Sequence, residues 1–191
     1  MSERNVHRSR HLFSAGSLAL LLTLLPLVAV AQDRSISYHR INVGDYQNFV
    51  VNWAEQKQPV LYALAQTRSH YDALFHPAPT NFSVKSTAPD PSLFASEEIL
   101  LVARVTPTVP DMNAVFEVEK VSDNGRVLTL HYRFHKPMKE TSSFVKSYLA
   151  VRIPKRPYDR IVFVENGQQI GELIVSAGQW SVPLATLDPA R

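Results

Sequence analysis

Ala114 to Phe134 reads AVFEVEKVSDNGRVLTLHYRF, and this stretch decides the fold class. Asn124-Gly125 lies near its centre. Asn-Gly accepts the positive φ angles that tight hairpin turns demand, so the stretch predicts two strands joined back to back, Ala114–Val121 and Arg126–Phe134. The second arm alternates without a break. Leu128, Leu130, Tyr132 and Phe134 share one face; Val127, Thr129, His131, Arg133 and His135 share the other. Successive side chains of a pleated strand point to opposite sides, so one face is expected in the core and the other in water. A slip of one residue would exchange the two faces, so the register is well specified.

Working outward, Ile161–Val164, Asn166-Gly167 and Ile170–Val175 predict a second hairpin with the same turn dipeptide. Ser143–Ile153 reads as a strand with Val145, Leu149, Val151 and Ile153 on one side, closed by Pro154. Ile99–Val105 and Pro59–Ala65 are short apolar runs of the kind that buried strands make. Ser69, with Asp72 three residues on, predicts the start of a short helix whose apolar face is Tyr71, Leu74 and Phe75 and which Pro77 stops. The proline-rich stretch from His76 to Pro91 reads as a surface crossing. Tyr46, Phe49, Val50 and Trp53 fit one helix face, while Phe49, Val51 and Trp53 fit a strand equally well, and both readings stay open here. Trp180 is expected to anchor on the core. About seven short strands with turn-rich joints imply a mainly β fold, an antiparallel β-sandwich or partly open barrel with one or two short helices.

The amino terminus fixes the expected compartment. Arg4, Arg8 and Arg10 lead into an apolar run from Leu12 to Val30, which ends in Ala29-Val30-Ala31 before Gln32. A basic start, an apolar middle and a small-residue cleavage site read as a secretory signal peptide. Pro26 and several polar residues interrupt the run, which favours cleavage over a permanent anchor. The expected organisation is a signal peptide over 1–31, an N-terminal segment over 32–58, a β-rich domain over 59–175 and a tail over 176–191. The chain has no cysteine, which removes disulfides, thiolate metal sites and cysteine nucleophiles. Export without cysteine points to the periplasm or exterior of a bacterium. Membrane contact is then confined to the signal segment before cleavage.

Charge is distributed unevenly. Between His131 and Arg160 stand Arg133, Lys136, Lys139, Lys146, Arg152, Lys155, Arg156 and Arg160, opposed only by Glu140 and Asp159. That segment is net +6, and the remainder of the chain after Ala31 is net −5. Gathered charge of one sign can steer an oppositely charged partner. The candidate partner-binding residues are Arg133, Lys136, Lys139, Lys155, Arg156, Tyr158 and Arg160. Their expected partner is an acidic protein or an anionic envelope component; nucleic acid is not expected outside the cell.

Catalytic patterns are sparse. His131 and His135 lie about 13 Å apart on an extended strand, too far to share a zinc ion bound at ~2.0 Å. Glu97 and Glu98 are neighbours and point to opposite faces. There is no G-x-S-x-G elbow and no glycine-rich phosphate loop. The expectation is therefore a chain with no cofactor, no metal and no catalytic residues. Two other functions stay in view: a hydrolase acting on envelope material, and a carrier of a small apolar ligand held inside the sandwich.

One family resemblance rests on the order of these features. The strand Pro59–Ala65, the helix Ser69–Phe75, Phe94 before the strand Glu98–Arg104, the hairpin through Asn124-Gly125, and Ser147–Lys155 followed by Arg160–Val164 resemble the C-terminal domain of PrcB-type protease-complex subunits. Where that family carries Gly-Gly-Tyr before the hairpin, this chain has Pro110-Asp111-Met112-Asn113. The resemblance implies an exported β-rich fold and a non-catalytic accessory or assembly role beside an envelope protein. It implies no site residues. If the signal reading is right, N-terminal sequencing of the exported protein will begin at Gln32; a start at Met1 would mean an uncleaved anchor.

Overall fold

Three strands run through the middle of the molecule, and each is buried on both faces. They are β4 (Val60–Ala65), β6 (Glu97–Pro107) and β9 (Phe144–Pro154). With β2 (His39–Ile41) they form a four-stranded antiparallel sheet in the order β2-β9-β6-β4. The description rests on a computed structural model and covers residues 33–78, 85–138 and 142–175. The signal segment with its cleavage residues Ala29, Ala31 and Gln32 lies outside the described residues, as do Lys139, Trp180 and the tail 176–191.

Alternate residues of the central strands serve two different cores, as the period of two requires. Tyr62, Leu64, Leu100, Val102, Leu149, Val151 and Ile153 pack toward a second sheet of five strands. That sheet has the order β1-β7-β8-β10-β11. Its members are β1 (Arg34–Ser35), β7 (Phe116–Asp123), β8 (Val127–Phe134), β10 (Arg160–Glu165) and β11 (Gln168–Ile174). From it Val121, Leu128, Leu130, Tyr132, Ile161, Phe163 and Leu173 complete the layer. The intervening residues Leu61, Ala63, Ile99, Leu101, Ala103 and Ala150 face the other way. There a cover is formed by α1 (Arg68–Leu74) and a two-stranded sheet of β3 (Asn48–Val50) and β5 (Phe75–Pro77), which bury Val50, Tyr71, Leu74 and Phe75. The result is a β-sandwich with an added layer on one outer face. The sheets do not close into a barrel.

The hairpin that decided the fold class is present. Leu128, Leu130 and Tyr132 are fully buried, and Phe134 at the strand's end is partly buried. The first arm loses strict alternation at a β-bulge between Val118 and Lys120, which lets Phe116 and Val121 both reach the core although they are an odd number of residues apart. The second hairpin, β10–β11, is also present. The two Asn-Gly turns nevertheless differ. Asn166 and Gly167 both take positive φ, whereas in the first turn only Gly125 does. There Asn124 instead uses its side-chain oxygen to accept from the Val127 N–H at 2.9 Å.

Three local expectations change. Residues 48–50 form a strand, because β3 pairs with β5 and buries Val50 while Phe49 stays exposed. The helix starts two residues earlier than Ser69: Thr67 is its cap, accepting from the His70 N–H at 3.1 Å. Asp72 is instead bound to Arg68 at 2.8 Å, an i, i+4 ion pair. Phe75 leaves the helix to pair in β5 before Pro77 is reached. The remaining difference is topological. β8 and β10 lie side by side and parallel, because β9 departs to the opposite sheet between them.

Gly171 on β11 lies close against Tyr62 of β4 in the facing sheet. A Cβ there would lie 2.6 Å from the Tyr62 ring, which is itself buried and set against Phe163 at 4.3 Å between ring centroids. The ring has no room to retreat. Gly171→Ala should therefore destabilise the protein by about 1–3 kcal/mol in urea melts, the usual cost of overpacking a filled core. An unchanged midpoint would show that β11 sits farther from β4.

Candidate functional site

The described cations of the basic segment do not form one surface. Arg160 pairs in register with Val127, and Arg133 lies six residues farther along the same strand, about 20 Å away. Arg133 and Lys136 thus belong to one end of the five-stranded sheet, and Arg160 to the other. Arg133 binds Glu119 at 2.6 Å. Arg160 binds Glu172 at 3.5 Å. Lys146 meets Glu55 at 3.4 Å and lies over the Trp53 ring at 5.5 Å. Arg152 donates from Nε to Glu97 at 3.0 Å. The acidic partners come from outside the basic segment. Its charge excess is matched within the fold by the acidic remainder of the chain.

The loop between β9 and β10 is largely exposed, yet its cations Lys155 and Arg156 are engaged by the fold itself. Lys155 is exposed, and its Nζ donates to the carbonyls of Gln66 and Phe94, each at 3.0 Å. Arg156 donates to Asp123 at 2.7 Å. Asp123 is fully buried and also accepts from Arg34 at 2.9 Å and from the Gly125 N–H at 3.1 Å. A buried carboxylate needs such partners, since an uncompensated charge there costs several kcal/mol. Tyr158 is buried against the sandwich core. These residues tie β1, the first hairpin turn and the β9–β10 loop together. Of the six described candidates, Lys136 alone lines the cleft described below.

Glu98 is one of the two adjacent carboxylates that the sequence places on opposite faces of a strand, and the structure shows it to be the inward one. It sits near the start of β6 with its side chain fully enclosed. One carboxylate oxygen accepts from Gln66 Nε2 at 3.3 Å, while the other, Oε1, has no hydrogen-bond partner. Burial pushes its pKa up to about 7, against the opposing pull of Gln66, Lys155 and the Arg156 backbone N–H. The signal in the sequence was its position one residue before the apolar run Ile99–Val105, where strand alternation sends one of two adjacent carboxylates inward.

A cleft of about 660 Å³ lies at the end of the sandwich. Arg104, Val105, Thr106 and Pro107 from β6 form its floor, Pro59 and Phe144 flank it, and Phe134, Lys136, Pro137 and Met138 close the remaining side. Met138 is 78% exposed and Phe144 57% exposed. Val105 is exposed beside them. Arg104 is held in place by Glu165, which accepts at 2.8 and 2.9 Å and also receives the Tyr132 hydroxyl at 2.9 Å. Its guanidinium stacks over the Phe134 ring at 4.7 Å. The space between the two large sheets is occupied by packed side chains, including Tyr62, Tyr132, Phe116 and Phe163, so the room for an apolar ligand lies at the end of the sandwich. Among the described residues no cluster of three or more His, Asp or Glu could hold a metal ion, and no helix is long and apolar enough to cross a membrane. Comparison with protein-family models, with curated proteins and with solved structures finds no match to this chain.

Glu98 has a measurable consequence. Its pKa is about 7 when folded and near 4.5 when unfolded, so between those values the folded protein holds a proton that the unfolded chain has lost. The stabilising contribution is complete below about pH 4.5, falls as pH rises toward 7, and is absent above it. Glu98→Gln should remove this slope and raise the urea midpoint at pH 8 above that of the parent. Parallel stability–pH profiles for the two proteins would refute the assignment.

Proposed function

We propose that this protein is an exported, non-catalytic interaction domain, an accessory to another envelope protein, and that it binds through the cleft at the end of the sandwich. The observation that carries this reading is the grouping of exposed apolar side chains there. Val105, Met138 and Phe144 lie together around a concavity whose walls also include Pro59, Pro107, Phe134 and Pro137. Exposed apolar groups clustered around a groove are characteristic of binding sites, because leaving them in water wastes the burial they could gain.

The reading favours a peptide segment of a partner protein over a folded surface. The cleft has the size of a site for a small ligand or a few residues of chain. The internal pairing of Arg133, Arg152, Arg156 and Arg160 makes broad charge attraction a lesser contribution than the sequence suggested. The accessory role implied by the resemblance to PrcB-type subunits agrees with a domain that binds without performing chemistry.

A photoreactive phenylalanine analogue placed at 144 or 138 should give a discrete adduct with an envelope protein in intact cells. The same analogue at 117, on the exposed outer side of the first hairpin, should give none. Equal labelling from 117 and 144, or no adduct from 138 and 144, would overturn the proposal.

A further inference from the structure

Part of the cleft lining is a stretch of β6 that runs on beyond the start of its neighbour β4. β4 starts at Val60, opposite Arg104, so β6 continues past it through Val105, Thr106 and Pro107. On its other side β6 remains paired with β9 as far as Pro107 and Phe144. The ladder extends one step more, with the Thr108 N–H donating to the Ser143 carbonyl at 3.1 Å. In an antiparallel ladder the backbone groups of successive residues point alternately to the two sides. Thr106 and Thr108 therefore turn theirs toward β9, and Val105 and Pro107 turn theirs toward the cleft.

The residue opposite Val105 on the cleft side is Pro59, which has no N–H to offer. The carbonyls of Val105 and Pro107 thus meet no backbone donor from β4. Pro107 in turn has no N–H of its own. An edge made mostly of acceptors pairs poorly with another complete sheet edge, which protects against edge-to-edge aggregation. It suits a short extended chain, whose alternate N–H groups recur every ~6.8 Å, the spacing of two carbonyls two residues apart.

The walls supply the rest of the specificity. Phe134, Pro137, Met138 and Phe144 present apolar surface beside this edge. Arg104 and Lys136 also line the cleft. Arg104 is already paired with Glu165, so among the described lining residues Lys136 is the cation left for an external anion. An extended chain that places apolar side chains on these walls and a negative charge at Lys136 fits both features at once. Resting on the reading that the cleft binds a partner segment, we infer that its ligand is the free carboxyl terminus of a partner chain: the last few residues, extended and apolar, with the terminal carboxylate at Lys136.

The test uses the full chain, purified as the cell processes it and immobilised. Two pools of hexapeptides with randomised apolar residues at their last three positions are passed over it, one as free acids and one as C-terminal amides. The free-acid pool should be retained about tenfold more strongly than the amide pool. That preference should vanish in Lys136→Gln, and retention itself should fall in Phe144→Ser. Thermal melts of both variants establish that they fold; where Phe144→Ser does not, Met138→Ser replaces it. Equal retention of acid and amide, lost with Phe144→Ser, overturns the carboxylate inference and leaves the cleft as a binding site for internal apolar segments. A free-acid preference that survives Lys136→Gln, or retention indifferent to Phe144→Ser, places the site elsewhere and overturns the inference. If neither pool is retained, both the inference and the reading beneath it fall.

Discussion

The double burial of the central sheet is the constraint on which the rest of this structure depends. β4, β6 and β9 carry apolar side chains on both faces, so each must be covered twice. The five-stranded sheet covers one face with Leu128, Leu130, Tyr132 and Phe163. The helix α1 and the β3–β5 pair cover the other with Tyr71, Leu74 and Phe75. A strand that is apolar at every position cannot remain at a wet surface, since each exposed large side chain forgoes about 1.5–3 kcal/mol of burial. The small outer layer is thus required by the composition of the central strands. The cleft follows from the same sheet: β6 and β9 outrun β4 by three positions, and Pro59 marks the point where β4 begins.

Charge plays the complementary part. The acidic residues Glu55, Glu97, Glu119, Asp123 and Glu172 stand opposite cations of the segment 131–160. Most of these pairs are partly exposed and contribute little individually. Asp123 is different, because its carboxylate is enclosed and is satisfied by two guanidiniums and a backbone N–H. It links strands and loops that are far apart in the chain. An imbalance of charge along a sequence therefore has two physical outlets: an external partner, or the other half of the same fold. Here the pairs within the fold take up most of it, and Lys136 at the cleft is where an external anion is proposed to bind.

Much of the architecture was legible in advance. Strict alternation from Val127 to Phe134 identified a strand with one buried face, and the two Asn-Gly dipeptides placed both hairpins. The continuous apolar runs at 59–65 and 99–105 identified strands with two buried faces. The first arm of the hairpin was less regular because the bulge near Glu119 shifts its phase. Residues 46–53 fitted two periods because only three of them, Asn48–Val50, belong to a strand at all. The cap of α1 was misplaced by two residues because Thr67 and Ser69 carry the same hydroxyl chemistry, and packing of Tyr71 and Leu74 chooses between them. The candidate site was legible only at Lys136. Phe144, Met138 and Val105 gave no signal, being ordinary apolar residues until the fold leaves them at the surface together.

By itself, then, the sequence determined the principal strands, which of their faces are apolar, where the two Asn-Gly turns fall and that no disulfide can hold the fold together. These are local properties, set by side-chain chemistry at spacings of a few residues. Only the tertiary structure decided that β8 and β10 run parallel, that Lys155 and Arg156 of the β9–β10 loop bond to groups of the same fold, and that Glu98 is enclosed. It also decided that β6 ends beside an apolar cleft. Those outcomes depend on residues tens of positions apart meeting in space, and chain order carries no direct record of which carboxylate a guanidinium will reach or where one strand will outlast its neighbour.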